Sequence, residues 1–291
     1  MLILKAIILG IIEGITEFLP ISSTGHLIIA NNFVGFPSAR FENAFNIIIQ
    51  LGAILSVVFI YFDKLNPFSL KRIEKREEIC TAKLSFKEKF KLALKAYDKR
   101  TMSLWIKIIV GVLPAMILGL LLDDYIDAHF FSTKVVAINL IFYGLIIIWI
   151  ESSFKKKAKF KTVYDVGFST CFLIGLFQCL AMIPGTSRSA ATIIGAMLLG
   201  LSRTAAAEFS FFLAIPTMLG ATLLKMLKLG SSFSTYQFFI IFIGGLVSFI
   251  VALVVIRSFM RFVKRHSFKP FGYYRILLGL LLFVLMLMGV I

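Results

Sequence analysis

The sequence predicts an all-α polytopic membrane protein, with about six transmembrane helices plus two re-entrant helix-loop-helix hairpins arranged as an inverted repeat. Three observations predict it. Of the 291 residues, 59% are hydrophobic and 16% charged, more apolar surface than one soluble core can bury. Six apolar runs, at 43–62, 104–122, 134–150, 205–224, 236–256 and 276–291, match the roughly 17 to 25 helical residues that a bilayer crossing needs. Two further runs, 2–19 and 166–183, each end at a proline and a cluster of small polar residues: PISSTGH at 20–26 and PGTSRS at 184–189.

The apolar pieces that follow those clusters, 27–36 and 190–201, are shorter than the ~20 residues of a full crossing. Each cluster therefore reads as the tip of a hairpin that enters the membrane and returns. Irregular backbone at that depth survives only where protein or a cavity satisfies its hydrogen bonds, so both tips should line a site. Residues 13–23 match 178–188 as acid or amide, apolar stretch and serine pair, with Glu42 and Glu208 downstream. The chain thus divides as one membrane domain, 1–291, of two repeat halves, 1–150 and 151–291. Residues 2–19 resemble a signal peptide in hydrophobicity, but Glu13 and Glu17 interrupt them and no cleavage site follows; they are expected in the mature protein. Cys80, Cys171 and Cys179 lack metal-ligand spacing and read as packing residues.

The net charge of +16 excludes nothing alone, yet the cations sit in a few segments between apolar runs. That pattern fits a bilayer surface as partner and no nucleic acid. Segment 63–100 carries twelve basic and six acidic residues, 151–165 five and two, and 257–275 six and none, so all three should be cytoplasmic loops. Segment 123–133, with Asp123, Asp124 and Asp127 and no lysine or arginine, belongs on the other side. An interfacial helix around Phe86, Phe90, Leu92 and Leu94 and a plain charged loop are equally compatible with 63–100. Nothing in the pattern specifies an oligomeric state.

The polar residues within apolar segments carry the chemistry. Glu13 and Glu17, four apart on a helix, present both carboxylates on one face, where Mg²⁺ or Ca²⁺ would keep them ionised and bridge phosphate oxygens. One protonated glutamate is the structural alternative. Ser22, Ser23 and Thr24 begin the second half-helix, whose free N–H groups favour an anion. His26 is the one histidine inside an apolar segment and can act as base or nucleophile. Arg188, between Ser187 and Ser189, needs an anion if buried; its fork suits phosphate oxygens, and a buried carboxylate such as Glu208 is the alternative partner. Catalysis is thus expected of Glu17, Ser23, His26 and Arg188, phosphate binding of Ser22, Thr24, Ser187, Arg188 and Ser189, and metal binding of Glu13 and Glu17.

Through EGITEFLPISSTGH at 13–26, PGTSRSAAT at 184–192 and QLGAILSV at 50–57, nearly the whole chain resembles the undecaprenyl-diphosphatase family, also called the bacitracin-resistance family. The resemblance implies hydrolysis of undecaprenyl diphosphate to the monophosphate and phosphate at the outer, periplasmic face of the bacterial plasma membrane. It also implies recycling of the carrier for peptidoglycan synthesis, dependence on a divalent metal, and bacitracin resistance. The family's acidic motif falls on Glu13 and Glu17, its serine-histidine motif on Ser22, Ser23, Thr24 and His26, and its arginine motif on Ser187, Arg188 and Ser189. Ala190 departs from the glycine usual in that motif. The pattern of the acid phosphatase-like lipid phosphatases is missing, because Ile194 and Phe209 stand where a histidine would follow a serine-arginine pair. A polyprenyl-phosphate transporter or flippase is the competing function, since such repeats are a common transporter plan. Which of Ser23, His26 or a water activated by Glu17 or His26 attacks phosphorus stays open at this level.

Overall fold

The helices begin and end where local chemistry satisfies their free backbone groups. The structure, a computed structural model, describes residues 1–69, 85, 87–88, 92, 96–153, 158–229 and 233–291. Eleven helices are seen among them. The first half contains α1 (Leu2–Thr16), α2 (Ser23–Val34), α3 (Ala39–Ile60), α4 (Phe62–Leu65), α5 (Lys99–Phe130) and α6 (Thr133–Ser153). The second contains α7 (Phe168–Cys179), a 3₁₀ turn (Leu180–Met182), α8 (Arg188–Leu198), α9 (Arg203–Leu229), α10 (Thr235–Val263) and α11 (Lys269–Leu287). Ser38 accepts the Phe41 N–H at the start of α3, Asp98 does the same for Arg100 at α5, and Ser234 with Gln237 forms a capping box at α10.

Among the described residues six helices are long and apolar enough to cross a membrane: α3, α5, α6, α9, α10 and α11. The chain is an all-α polytopic membrane protein. The six correspond to the six apolar runs of the sequence, with two corrections. Segment 257–275 is not one loop, because α10 continues to Val263 and α11 begins at Lys269, with Pro270 in its first turn. The acidic stretch of 123–133 is helical as far as Phe130, as the end of α5. Phe86, Phe90, Leu94 and Cys80 lie outside the described residues.

The two halves pack reciprocally. Helix α10 of the second half lies against α1 and α3 of the first, while α5 of the first lies against α7 and α9 of the second. Helices α3 and α9 meet between these layers, and α6 packs along α11. Small residues permit the close approaches. A Cβ on Gly144 would come within 2.8 Å of the Gly272 carbonyl oxygen, and one on Gly272 within 2.8 Å of the Gly144 carbonyl oxygen. With no hydrophobic effect to press helices together in lipid, such backbone contact supplies the packing.

This arrangement leaves α1–α2 and α7–α8 as two short helix pairs, each broken at its polar cluster and each packed on itself. The breaks have the same local geometry. Ser22 and Ser187 both sit at φ +71°, a left-handed conformation that a non-glycine residue holds only when its surroundings impose it. Each then caps the following half-helix: Ser22 Oγ accepts the Gly25 N–H at 3.4 Å, and Ser187 Oγ accepts the Ala190 N–H at 3.3 Å. The next residues, Ser23 and Arg188, open α2 and α8.

Candidate active site

The two breaks meet through Glu17. This residue follows the last turn of α1 and is 7% exposed. Its Oε2 accepts the Ser23 hydroxyl at 2.8 Å, and its Oε1 accepts Arg188 Nη2 at 3.0 Å. One carboxylate therefore joins the first residue of α2 to the first residue of α8. Arg188 is further held from α9, where its Nη1 donates to the Ser210 carbonyl at 3.0 Å, and Met218 Sδ lies 3.7 Å from its Nη2. Arg188 thus pairs with Glu17, not Glu208; the latter bonds Lys64 at 2.6 Å. Among the described residues the buried guanidinium Nε has no hydrogen-bond partner.

The serines flanking Arg188 bind the two halves together rather than standing free. Ser189 donates to the Leu19 carbonyl of the other break at 2.9 Å, and its Oγ lies 3.0 Å from that of Ser187. Ala190, the departure from the family motif, is fully buried beneath this turn. Thr192 and Ser210, which the sequence did not single out, share a 2.6 Å hydrogen bond behind Arg188. Thr24 has no hydrogen bond to the Glu17–Arg188 pair among the described residues and is half-buried on α2.

His26 stands apart. Its Nδ1 lies 2.8 Å from the Ser22 carbonyl oxygen and its Nε2 lies 2.7 Å from the Tyr274 hydroxyl of α11. The ring therefore faces α11 rather than the Glu17–Ser23–Arg188 cluster. The structure brings Glu13, Glu17, Ser23 and Arg188 together and attaches His26 to the same break from its other side.

The donors present fit a hard divalent cation in part. Glu13 is fully buried and close enough to Glu17 for the two carboxyls to interact, and among the described residues neither of its oxygens has a hydrogen-bond partner. Two ionised carboxylates so placed would repel strongly at low dielectric, and a cation between them removes that cost. No group of three or more histidine, cysteine or acidic side chains gathers among the described residues, so substrate oxygens and water would complete the shell.

Arg275 is the residue that sequence reasoning missed. The sequence places it at the end of a cytoplasmic loop; it lies inside α11 and is 0% exposed. Its guanidinium donates to the Pro20 carbonyl at 3.3 Å, the Gly185 carbonyl at 2.7 Å and the Asn139 carbonyl at 3.3 Å. Pro20 and Gly185 belong to the two polar clusters, so one side chain ties both breaks to α6 and α11. Asn139 adds a 2.8 Å bond from its Nδ2 to the Pro184 carbonyl. Gly185 is required here, because it sits at φ +87° and a Cβ would reach within 2.6 Å of the Val136 carbonyl oxygen. The signal that could have found Arg275 is Pro270, a helix-start residue five positions earlier.

Arg275→Met is expected to lower turnover by on the order of 10²-fold, the scale of a small misplacement of reacting groups. Its effect on stability should be smaller. The carbonyls of Pro20 and Gly185, left unbonded, cost about 1–3 kcal/mol each, whereas that of Asn139 keeps its place inside α6; the cost is offset by the relief of no longer burying a guanidinium without a carboxylate. Thermal unfolding in detergent, measured beside turnover, separates the two effects.

A family profile described as bacitracin resistance protein BacA matches residues 6–281. The chain belongs to that family. Among BacA relatives, undecaprenyl-diphosphatase 1 of Clostridioides difficile (strain 630) is 49% identical over 280 residues, covering 96% of this chain and 94% of its own. The undecaprenyl-diphosphatase of Fusobacterium nucleatum subsp. nucleatum is 52% identical over 286 residues, 96% and 99% of the two chains. That of Enterococcus faecalis is 47% identical over 285 residues, 97% and 96%. The profile match spans both breaks.

Proposed function

We propose that this protein hydrolyses undecaprenyl diphosphate to undecaprenyl phosphate and inorganic phosphate, recycling the carrier lipid for peptidoglycan synthesis and conferring bacitracin resistance. The observation that carries the proposal is the single carboxylate of Glu17, which holds a hydroxyl on one oxygen and a guanidinium on the other where two half-helices begin. Ser23 Oγ attacks the terminal phosphorus and gives its proton to Glu17 Oε2. The bond to the bridging oxygen breaks, undecaprenyl phosphate leaves, and water then hydrolyses the phosphoserine to release phosphate. Arg188 and the free N–H groups opening α2 and α8 bind the charge that gathers on the phosphoryl oxygens. The names of the BacA relatives supply the substrate.

Glu13 and Glu17 would hold the divalent cation, Mg²⁺ or Ca²⁺, which when bound neutralises diphosphate charge. Excess chelator should therefore abolish phosphate release, and Glu13→Gln should raise the cation concentration needed for half-maximal rate. Undiminished turnover in chelator would remove the metal from the mechanism.

The site is proposed to open to the outer face of the bacterial plasma membrane. Lys64, Arg100, Lys161 and Lys264, drawn from all three basic segments, line one cleft at a single end of the helices, and the bias of lysine and arginine assigns that end to the cytoplasm. In intact cells an impermeant thiol reagent should label Asp124→Cys and spare Lys161→Cys; the opposite pattern would invert the topology.

The deciding experiment uses purified protein in detergent, with no membrane to transport across. It should release phosphate from a long-chain prenyl diphosphate when Mg²⁺ or Ca²⁺ is supplied. The reciprocal packing of the two halves also suits a transporter. Protein that released no phosphate, yet moved the lipid in proteoliposomes, would establish that second function instead.

A further inference from the structure

His26 is attached to the site in a way that its role as a free base or nucleophile does not explain. The Ser22 carbonyl has only lone pairs to offer, so Nδ1 of His26 must carry the proton in the 2.8 Å bond between them. In the neutral ring Nε2 is then an acceptor, and the Tyr274 hydroxyl, 2.7 Å away, donates to it. The two ring planes are also nearly parallel, inclined by 6° with centroids 5.6 Å apart, so the tyrosine packs on the imidazole as well as bonding it. Both ring nitrogens are thereby committed.

The acceptor matters as much as the donor. The Ser22 carbonyl belongs to the peptide that links Ser22 to Ser23. Ser22 is held at φ +71°, and the orientation of that peptide decides whether the Ser23 hydroxyl reaches Glu17. A chain of hydrogen bonds thus runs from Tyr274 on α11 through the imidazole to the backbone of the proposed nucleophile. Tyr274 is 43% exposed at the surface of the protein, and the next residue, Arg275, grips Pro20 of the same break.

We propose that Tyr274 is a positioning residue. Its hydroxyl fixes His26 in the Nδ1–H tautomer, and the imidazole in turn fixes the Ser22–Ser23 peptide so that Ser23 stays aimed at Glu17. This deepens the phosphatase function proposed above and rests on it for its kinetic consequence, although not for its chemical one.

The chemical consequence is read by ¹⁵N NMR of protein labelled only at histidine, in detergent. The chain has three histidines, and His26→Gln assigns the signal. Wild type should show one pyrrole-type Nδ1 and one pyridine-type Nε2 for His26. In Tyr274→Phe the Nε2 resonance should move to higher shift, toward an unbonded pyridine-type nitrogen, while His129 and His266 stay in place. An Nε2–H tautomer or a doubly protonated ring in the wild type, or an unmoved Nε2 in the variant, would overturn the proposal whether or not the protein turns over.

The kinetic consequence is that Tyr274→Phe should turn over about 10- to 100-fold more slowly at saturating substrate, the range found when an orienting partner of a functional histidine is lost, with KM little changed. In the His26→Ala background the same substitution should have no further effect, because its route to Ser23 is already cut. An equal loss in both backgrounds, or an unchanged turnover rate beside a shifted Nε2, would refute positioning through His26. If the wild type itself released no phosphate, the phosphatase function would fail while the NMR outcome still judged the Tyr274–His26 bond.

Discussion

Ser23→Ala is expected to lower phosphate release by on the order of 10³-fold or more, the scale seen when an enzyme loses its attacking group, with little change in folding. The hydroxyl is half-buried at the start of α2, and among the described residues its hydrogen bond is to Glu17, so little core packing is lost. Ser22 remains to cap the helix. The stronger form of the test is chemical. If Ser23 forms a phosphoserine, Ser23→Cys should retain residual turnover, and acid-quenched wild type should carry ³²P from a terminally labelled substrate. Full activity in Ser23→Ala would pass the attack to a water, with Glu17 its remaining base in the cluster. Glu17→Gln should be impaired under either mechanism, because the amide can neither take the proton nor neutralise Arg188.

Arg188→Ala should reduce turnover by on the order of 10²-fold or more, as loss of a preorganised donor to developing charge does elsewhere. The side chain is 13% exposed and paired with Glu17, which makes the direction of a second effect predictable. Removing the guanidinium leaves Glu17 buried without its counter-charge, a loss of several kcal/mol if the carboxylate stayed ionised. The variant therefore loses transition-state binding and the contact that orients the Glu17 carboxylate together, and Arg188→Lys should recover little. A lysine cannot donate to Glu17 and Ser210 from one planar fork. If Arg188→Lys restored turnover to within a few-fold of wild type, point charge alone would suffice and the forked contact would be incidental.

Much of this site is legible from local sequence because each break must solve a local problem. A proline and a serine cluster after an apolar helical run leave N–H groups that need a cap, and Ser22 and Ser187 provide it at positions set by the repeat. Glu13 and Glu17 lie on one helical face by their spacing alone. The six spanning helices follow from run length, since lipid allows few other structures. What spacing cannot convey is which charged residue meets which. Arg188 and Glu17 are 171 positions apart, and Glu208, the carboxylate that the sequence offered as a partner, is turned by α9 toward Lys64 instead.

The division between sequence and tertiary structure is clearest around the two breaks. Sequence alone determined that the chain is an all-α membrane protein with two helices interrupted at polar clusters, that hydroxyl side chains stand where the first of them resumes, and that a carboxylate pair lies on the helical segment before it. Each is a property of neighbours along the chain, governed by helical period, capping and the bilayer's exclusion of unbonded backbone. Only the tertiary structure decided that His26 faces Tyr274, and that Arg275 is no loop residue but a buried donor to Pro20 and Gly185. Those contacts join α11 to breaks 90 and 255 residues away, and no local rule ranks such pairs. They arise because small residues let α6 and α11 approach until their backbones touch, which carries the side chains of α11 into both breaks at once.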